Sequence, residues 1–194
     1  MGMPKLSLEL SDGKTLGSVA LEQLSRLGID PLVVVVRADD PLDWLPNQAE
    51  NSQKWRTETC FTAHLGLAFS LRCGMSAVLP SKPDALLVAL ADQPFVRTEP
   101  IEQMISAMRE HPELDYAASG NSGKAMPPAL FARSMFPVLE SLNGDKGARE
   151  IFRCPDYRGV VFEPEDSDYF IDADTLEDFE QVKNKYERKS LSMK

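Results

Sequence analysis

The sequence predicts a single α/β domain with a mostly parallel, Rossmann-like sheet and helices on both faces. Two uninterrupted apolar runs, residues 32–36 and 85–91, have the composition of strands covered on both faces. Between and after them lie segments with helical apolar period, so strands alternate with helices as in βαβ units. Acidic residues also follow directly on predicted strand ends, where open parallel sheets place their ligands.

The elements follow in chain order. Leu6, Leu8 and Leu10 alternate with polar neighbours and predict a short half-buried strand. Asp12-Gly13 turns the chain, and Leu16, Val19, Ala20, Leu24 and Leu27 then recur at helical spacing, with Gly28 placed to end the helix. The strand at 32–36 precedes a polar stretch, residues 37–59, expected to be loop with one short helix and one strand. Leu65, Leu67, Ala68, Leu71, Met75 and Val78 predict a helix over 62–78, closed by Pro80 and Pro83. The strand at 85–91 stops at Asp92-Gln93-Pro94. Thr98 then caps a helix with Pro100 in its first turn and Ile101, Met104, Ile105 and Met108 on one face. Residues 116–119 and 160–163 read as strands, and 135–142 and 148–152 as helices. The segment 120–124 reads as a turn, because Ala125 stands where a phosphate loop needs Ser or Thr. A last short strand at 169–172 precedes a helix opened by Thr175 and carrying Leu176, Phe179, Val182 and Tyr186. The domain is expected to span residues 1–182, followed by a polar, lysine-rich tail over 183–194.

Composition narrows the function. The 194 residues carry 30 Asp and Glu against 21 Lys and Arg, a formal charge of −9, which argues against a nucleic-acid surface. No apolar run approaches the roughly 20 residues of a membrane span. The first residues lack the apolar stretch of a secretory signal, so a cytoplasmic protein is expected. The 3 cysteines and 2 histidines form no zinc pattern and no disulfide framework. Cys73 is a small core residue more readily than a nucleophile.

The candidate chemistry lies in the carboxylates. Asp92 follows one strand, and Asp172 and Asp174 follow another, so the three could hold Mg²⁺ and leave its remaining positions to water and substrate phosphates. For one shared ion, Asp92 and Asp174 must approach within about 4–7 Å. The alternative is structural: Asp174 and Asp178 favouring a helix start, Asp92 ending a strand in a turn. Asp145, with Lys146 and Arg149 close behind, offers an anion site at a helix start or an ordinary capped helix.

The order of these segments resembles the MobA-like nucleoside triphosphate transferases, and within them the molybdenum cofactor cytidylyltransferases. The resemblance rests on Met1-Gly2-Met3-Pro4-Lys5 as the tail of an LAAGxSxRMGxxK signature, and on Ser70-Leu71-Arg72-Cys73-Gly74-Met75 as SLRxGL. It continues through Leu90-Ala91-Asp92-Gln93-Pro94, through Gly144-Asp145-Lys146-Gly147-Ala148-Arg149 as GDxGAR, and through Asp172-Ala173-Asp174-Thr175-Leu176-Glu177-Asp178 as DIDTPED. It implies a nucleotide-diphospho-sugar transferase type of fold and a Mg²⁺-dependent nucleotidyltransferase. Such an enzyme moves a nucleoside monophosphate from a triphosphate, CTP in preference to GTP, to a molybdopterin-type phosphorylated cofactor. By the same resemblance Asp92 and Asp174 are catalytic and hold the metal, with Asp172 as a third ligand. Lys5, Ser70 and Arg72 contact the nucleotide, and Asp145, Lys146 and Arg149 face the acceptor. A molybdoenzyme apoprotein or a second copy of the chain is a further partner it admits. The alternative is a non-catalytic relative that binds cofactor or apoenzyme for delivery. The family's opening strand and Gly-rich loop have no counterpart in these residues, and an open sheet edge or gap is expected in their place. Leu67, Ala68 and Phe69, and Pro127-Pro128, depart from the family pattern.

Overall fold

A computed structural model of the protein describes residues 4–11, 13–46, 55–145 and 147–192. The expected first strand starts late. Ser7 N–H donates to Pro4 O at 3.1 Å and Leu8 N–H to Lys5 O at 3.3 Å, winding residues 5–7 into a 3-10 turn. Strand β1 (Glu9–Ser11) follows and pairs antiparallel with β2 (Lys14–Thr15). Thr15 and Ser18 close a capping box that starts α1 (Leu16–Ser25), and Gly28 takes φ +66° beyond its end.

The first apolar run is β3 (Leu32–Arg37), parallel to β4 (Trp55–Cys60) in the register Leu32↔Trp55 through Arg37↔Cys60. The expected strand in the polar stretch is therefore β4. The expected short helix does not occur among the described residues there. Trp44 instead anchors the loop, 2% exposed, with its indole N–H donating to Asp40 Oδ1 at 3.0 Å and its ring against Gly17 of α1.

Gly66, at φ +123°, splits the helix expected over 62–78. A 3-10 turn covers Ala63–Leu65, and α2 (Leu67–Val78) begins after the glycine. The second apolar run forms β5 (Ala85–Val88), and α3 (Thr98–Glu110) packs Met104 under Ala117 and Leu130.

Strand β6 (Tyr116–Asn121) turns at Ser122-Gly123 into β7 (Lys124–Ala132), a strand the sequence hides. Prolines are poor ladder members, so Pro127-Pro128 reads as an interruption. Here the register jumps from Ala118↔Ala129 to Ser119↔Met126, which places both prolines in a bulge. The buried Ser119 hydroxyl donates to Pro128 O at 3.1 Å within it. A sheet in the order β5-β7-β6-β8 results, with β8 (Gly159–Phe162) parallel to β6 and β7 antiparallel to both its neighbours. The α/β class holds, but the sheet is mixed, because β7 returns directly from β6 through a tight turn.

The expected helix at 135–142 is α4 (Phe136–Ser141), and that at 148–152 is a longer 3-10 segment, Gly147–Arg153. No strand forms at 169–172. Asp166 accepts from Asp168 N–H at 3.0 Å, a 3-10 turn covers Ser167–Phe170, and the fully buried Tyr169 points inward. Helix α5 (Leu176–Ser192) runs through the region expected to fray. Lys185 reaches Asp168 at 2.6 Å and Lys189 reaches Asp166 at 2.6 Å, so these polar residues form a paired outer helix face. Its inner face puts Phe179, Val182 and Tyr186 against Leu10, Leu16, Val19 and Phe95. Among the described residues no helix is long and apolar enough to cross a membrane.

Candidate active site

Strand β5 ends at Val88, short of the expected residue 91, and the chain beyond it turns at residues 91–92 to bring Asp92 to the carboxyl end of the sheet. Asp172 and Asp174 arrive from the opposite end of the sequence. Between them Ala173 is fully buried in the α5 cluster, so the two flanking aspartates are held on the solvent side. Thr175 then caps α5. Its hydroxyl accepts from Asp178 N–H at 3.1 Å, while Asp178 Oδ2 accepts from Thr175 N–H at 2.9 Å. That exchange uses Asp178 and leaves Asp174 free of capping.

One oxygen each of Asp92, Asp172 and Asp174 lies within 4.8 Å of the others. This meets the separation required of a shared ion, and the three acidic oxygens are the donor set that Mg²⁺ or Mn²⁺ takes. Lys5 enters the same cluster. Its ammonium donates to Asp92 Oδ2 at 2.9 Å and to Asp174 Oδ1 at 2.7 Å. Burial opposes the Lys5 charge, but the hydrogen bonds to Asp174 and Asp92 outweigh it and raise its pKa. Asp172 has no such bond. Burial, then the neighbouring charges of Asp174 and Asp92, raise its pKa from the ordinary aspartate value. Gln93, 1% exposed, adds an amide oxygen with no partner among the described residues. Neither the Lys5 pairing nor Gln93 is a feature that periodicity reveals. The adjacency of Gln93 to Asp92 at a strand end was the available signal.

The remaining candidates gather elsewhere. Ser70 and Arg72 lie on α2, whose start rests on the turn at Gly144-Asp145. Ala68 N–H donates to Gly144 O at 3.1 Å, and a Cβ on Gly66 would come within 2.7 Å of Asp145 Oδ1. The Arg72 guanidinium sits 4.5 Å from the centre of the Phe69 ring and donates to Asn143 Oδ1 at 3.4 Å. Arg149 is exposed on the 3-10 segment that follows, and Lys146 lies outside the described residues. The structure thus joins Lys5, Asp92, Asp172 and Asp174, and separately sets Arg72 beside the turn that carries Asp145. Burial, then Cys60 beside it, pushes the Cys73 thiol up to about 11, which disfavours the reactive thiolate.

An α/β fold with acidic oxygens converging at a sheet's carboxyl end suits a protein that handles a metal-bound, phosphorylated ligand. The chain belongs to the MobA-like NTP transferase domain family, whose pattern matches residues 1–160. It is 30% identical over 188 residues to the purine catabolism protein PucB of Bacillus subtilis (strain 168), covering 94% of this chain and 89% of that protein. A crystal structure of a Mycobacterium tuberculosis Rv0371c homologue from Mycobacterium sp. strain JC1 shares the fold with TM-score 0.76 and 22% identity, over 97% of this chain and 90% of that one. Rv0371c from M. tuberculosis H37Rv, crystallised as a complex with manganese, aligns with TM-score 0.72 and 20% identity, over 94% of this chain and 93% of that one.

Proposed function

We propose that the protein is a divalent-metal-dependent nucleotidyltransferase that transfers a nucleoside monophosphate, CMP in preference to GMP, to a phosphorylated cofactor of molybdopterin type. The observation that carries the reading is the convergence of Asp92, Asp172 and Asp174 around the Lys5 ammonium. Family membership supports the class of reaction, the manganese complex of a fold relative supports metal use, and the sequence resemblance supports the base and acceptor.

An acceptor phosphate oxygen forms a bond to the α-phosphorus while the bond from that phosphorus to the bridging oxygen breaks, releasing pyrophosphate. A divalent cation, Mg²⁺ in this reading, neutralises charge on the triphosphate oxygens when bound. Asp92 and Asp174 would hold it, with Asp172 as the third ligand once deprotonated. Lys5 offsets the carboxylate charge at rest, and is placed to turn its ammonium to a phosphate oxygen when the aspartates take the metal. Ser70 and Arg72 border the nucleotide, and Asp145, Lys146 and Arg149 border the acceptor. No covalent enzyme intermediate is required.

Pyrophosphate release with molybdopterin and each of the common nucleoside triphosphates, in Mg²⁺ or Mn²⁺, tests this reading. Turnover with CTP exceeding that with GTP is expected. Equal or absent binding of the triphosphates in calorimetry overturns the base assignment.

A further inference from the structure

Strand β8 bounds one side of the four-stranded sheet with its outer edge unpaired. It bonds to β6, and no backbone hydrogen bond leaves Gly159–Phe162 in the other direction among the described residues. A strand edge left so is a template for a further strand. Helix α3 does not cover it. The helix packs Met104 on Ala117 of β6 and Leu130 of β7, so Val160 and Phe162 of β8 are only partly covered. A groove of about 780 Å³ opens between α3 and this edge strand, floored by Val160, Phe162 and Leu114. Its rim is acidic. Glu99, Glu102, Glu110 and Glu113 line it, with no lysine or arginine among the lining residues. His111 Nδ1 lies 3.3 Å from Glu113 Oε1, whereas Glu99, Glu102 and Glu110 enter no ion pair among the described residues. On the opposite face of β8, Val161 is 40% exposed.

We propose that this edge docks an extended segment of another protein in which basic and β-branched residues alternate, added to the sheet as a strand beside β8. The backbone of such a segment satisfies the open edge. Its side chains point alternately to the two faces, so every second residue faces α3 and the others lie beside Val161. On the α3 face, a lysine or arginine lays its methylene stem over the apolar floor and brings its charge to the glutamates. On the other face, a valine or isoleucine extends the row that Val161 begins. An acidic segment is repelled by the rim, and a helix leaves the strand edge unpaired. A second copy of this chain does not supply the segment. No described strand carries more than one basic residue, and Lys185 and Lys189 of α5 are already paired with Asp168 and Asp166. This inference does not depend on the reaction proposed above.

Titration calorimetry and hydrogen–deuterium exchange of the full chain with the peptide Lys-Val-Lys-Val-Lys-Val test it. Binding should slow exchange of the outward amides of β8 and weaken as salt rises. The isomer Lys-Lys-Lys-Val-Val-Val, of equal charge, should bind at least about tenfold more weakly. Two further peptides carry backbone N-methyl groups at every lysine or at every valine. One of these should lose binding and the other keep it, because only alternate amides face β8. Glu102→Lys combined with Glu110→Lys, both exposed, should keep the parent's melting temperature and bind the basic peptide at least about tenfold more weakly. That variant should instead gain affinity for the matching Glu-Val peptide. The proposal is overturned by no binding at millimolar peptide, by equal binding of the isomer, by N-methyl peptides that behave alike, or by a charge-reversed variant that binds as the parent does. Outward β8 amides already protected in the free chain overturn it as well, and protection that appears only as the free chain dimerises assigns the edge to a second copy and overturns it too.

Discussion

Two acidic corners of the molecule differ in how their charge is met. At the carboxyl end of β5, Asp92, Asp172 and Asp174 face a single ammonium, and Asp172 has a raised pKa because burial and like charge oppose its ionisation. Where α2 starts, Asp145 rests on Gly66, Arg72 lies on Phe69 and reaches Asn143, and Ala68 closes on Gly144. At the second corner no acids converge on one another among the described residues, the Arg72 charge meets an aromatic face and an amide oxygen, and the backbone is tied across the turn. The first gathers three carboxylates around one ammonium among the described residues, an excess of negative charge that favours taking up a cation. The contrast puts cation uptake at the first corner and leaves the second as the packed border of the nucleotide and acceptor positions proposed above.

The sharpest break of that contrast is Asp92→Asn. Metal-dependent turnover should fall by about 100- to 1,000-fold, the usual consequence of losing one preorganised charge-stabilising contact. Thermal stability should change by less than about 1 kcal/mol, since Lys5 keeps Asp174. Pyrophosphate release and thermal melts measure the two effects. A large stability loss with modest activity loss would make Asp92 a structural residue instead.

Gly66→Ala should do the reverse. The residue has φ +123°, and an added Cβ would meet Gly144 backbone at 2.7 Å, so a cost of about 1–3 kcal/mol in urea denaturation is expected. Metal affinity of the folded fraction should be retained. Retained stability would mean that the corner yields more easily than its geometry states.

Titration sharpens the contrast further. Metal affinity should weaken as pH falls through the raised pKa of Asp172, because a ligating carboxylate must lose its proton. Without metal the sign for folding is opposite to that of a salt-bridged aspartate. A folded-state pKa above 3.8 means that the native state holds the proton more tightly, so ionised Asp172 weakens the fold as pH rises through that range. Asp172→Asn should therefore be more stable than the parent at neutral pH, with the gap closing as pH falls toward 3.8. Melting curves across that range check this, and a constant gap would refute it.

The smallest effect belongs to Lys189→Ala. It removes contacts at 2.6 Å to Asp166 and 2.9 Å to Asp168, both near the surface, and should cost at most about 1 kcal/mol, less in high salt.

Much of this was legible in the residues. The apolar runs gave β3 and β5 their places, and Thr175 announced α5. The acidic residues were read at the chain positions where the structure gathers their carboxylates. What stayed hidden has local causes. Pro127-Pro128 conceals β7 because a bulge, not a ladder position, receives the prolines. The lysine-rich end of α5 resembles a tail because its partners, Asp166 and Asp168, lie in another element. Lys5 could be expected to meet phosphate, but its pairing with two aspartates more than 80 residues away is a product of the fold alone.

Ala173 carries a consequence of its own. Its methyl group is fully enclosed between α5 and the β1 region, and the two aspartates on either side take their aim from that anchorage. A bulkier side chain there would swing both acids together, whereas a substitution at either acid alters only one. A saturation screen scored for loss of cation uptake should therefore return an alanine, a position with no reactive atom, among its strongest hits.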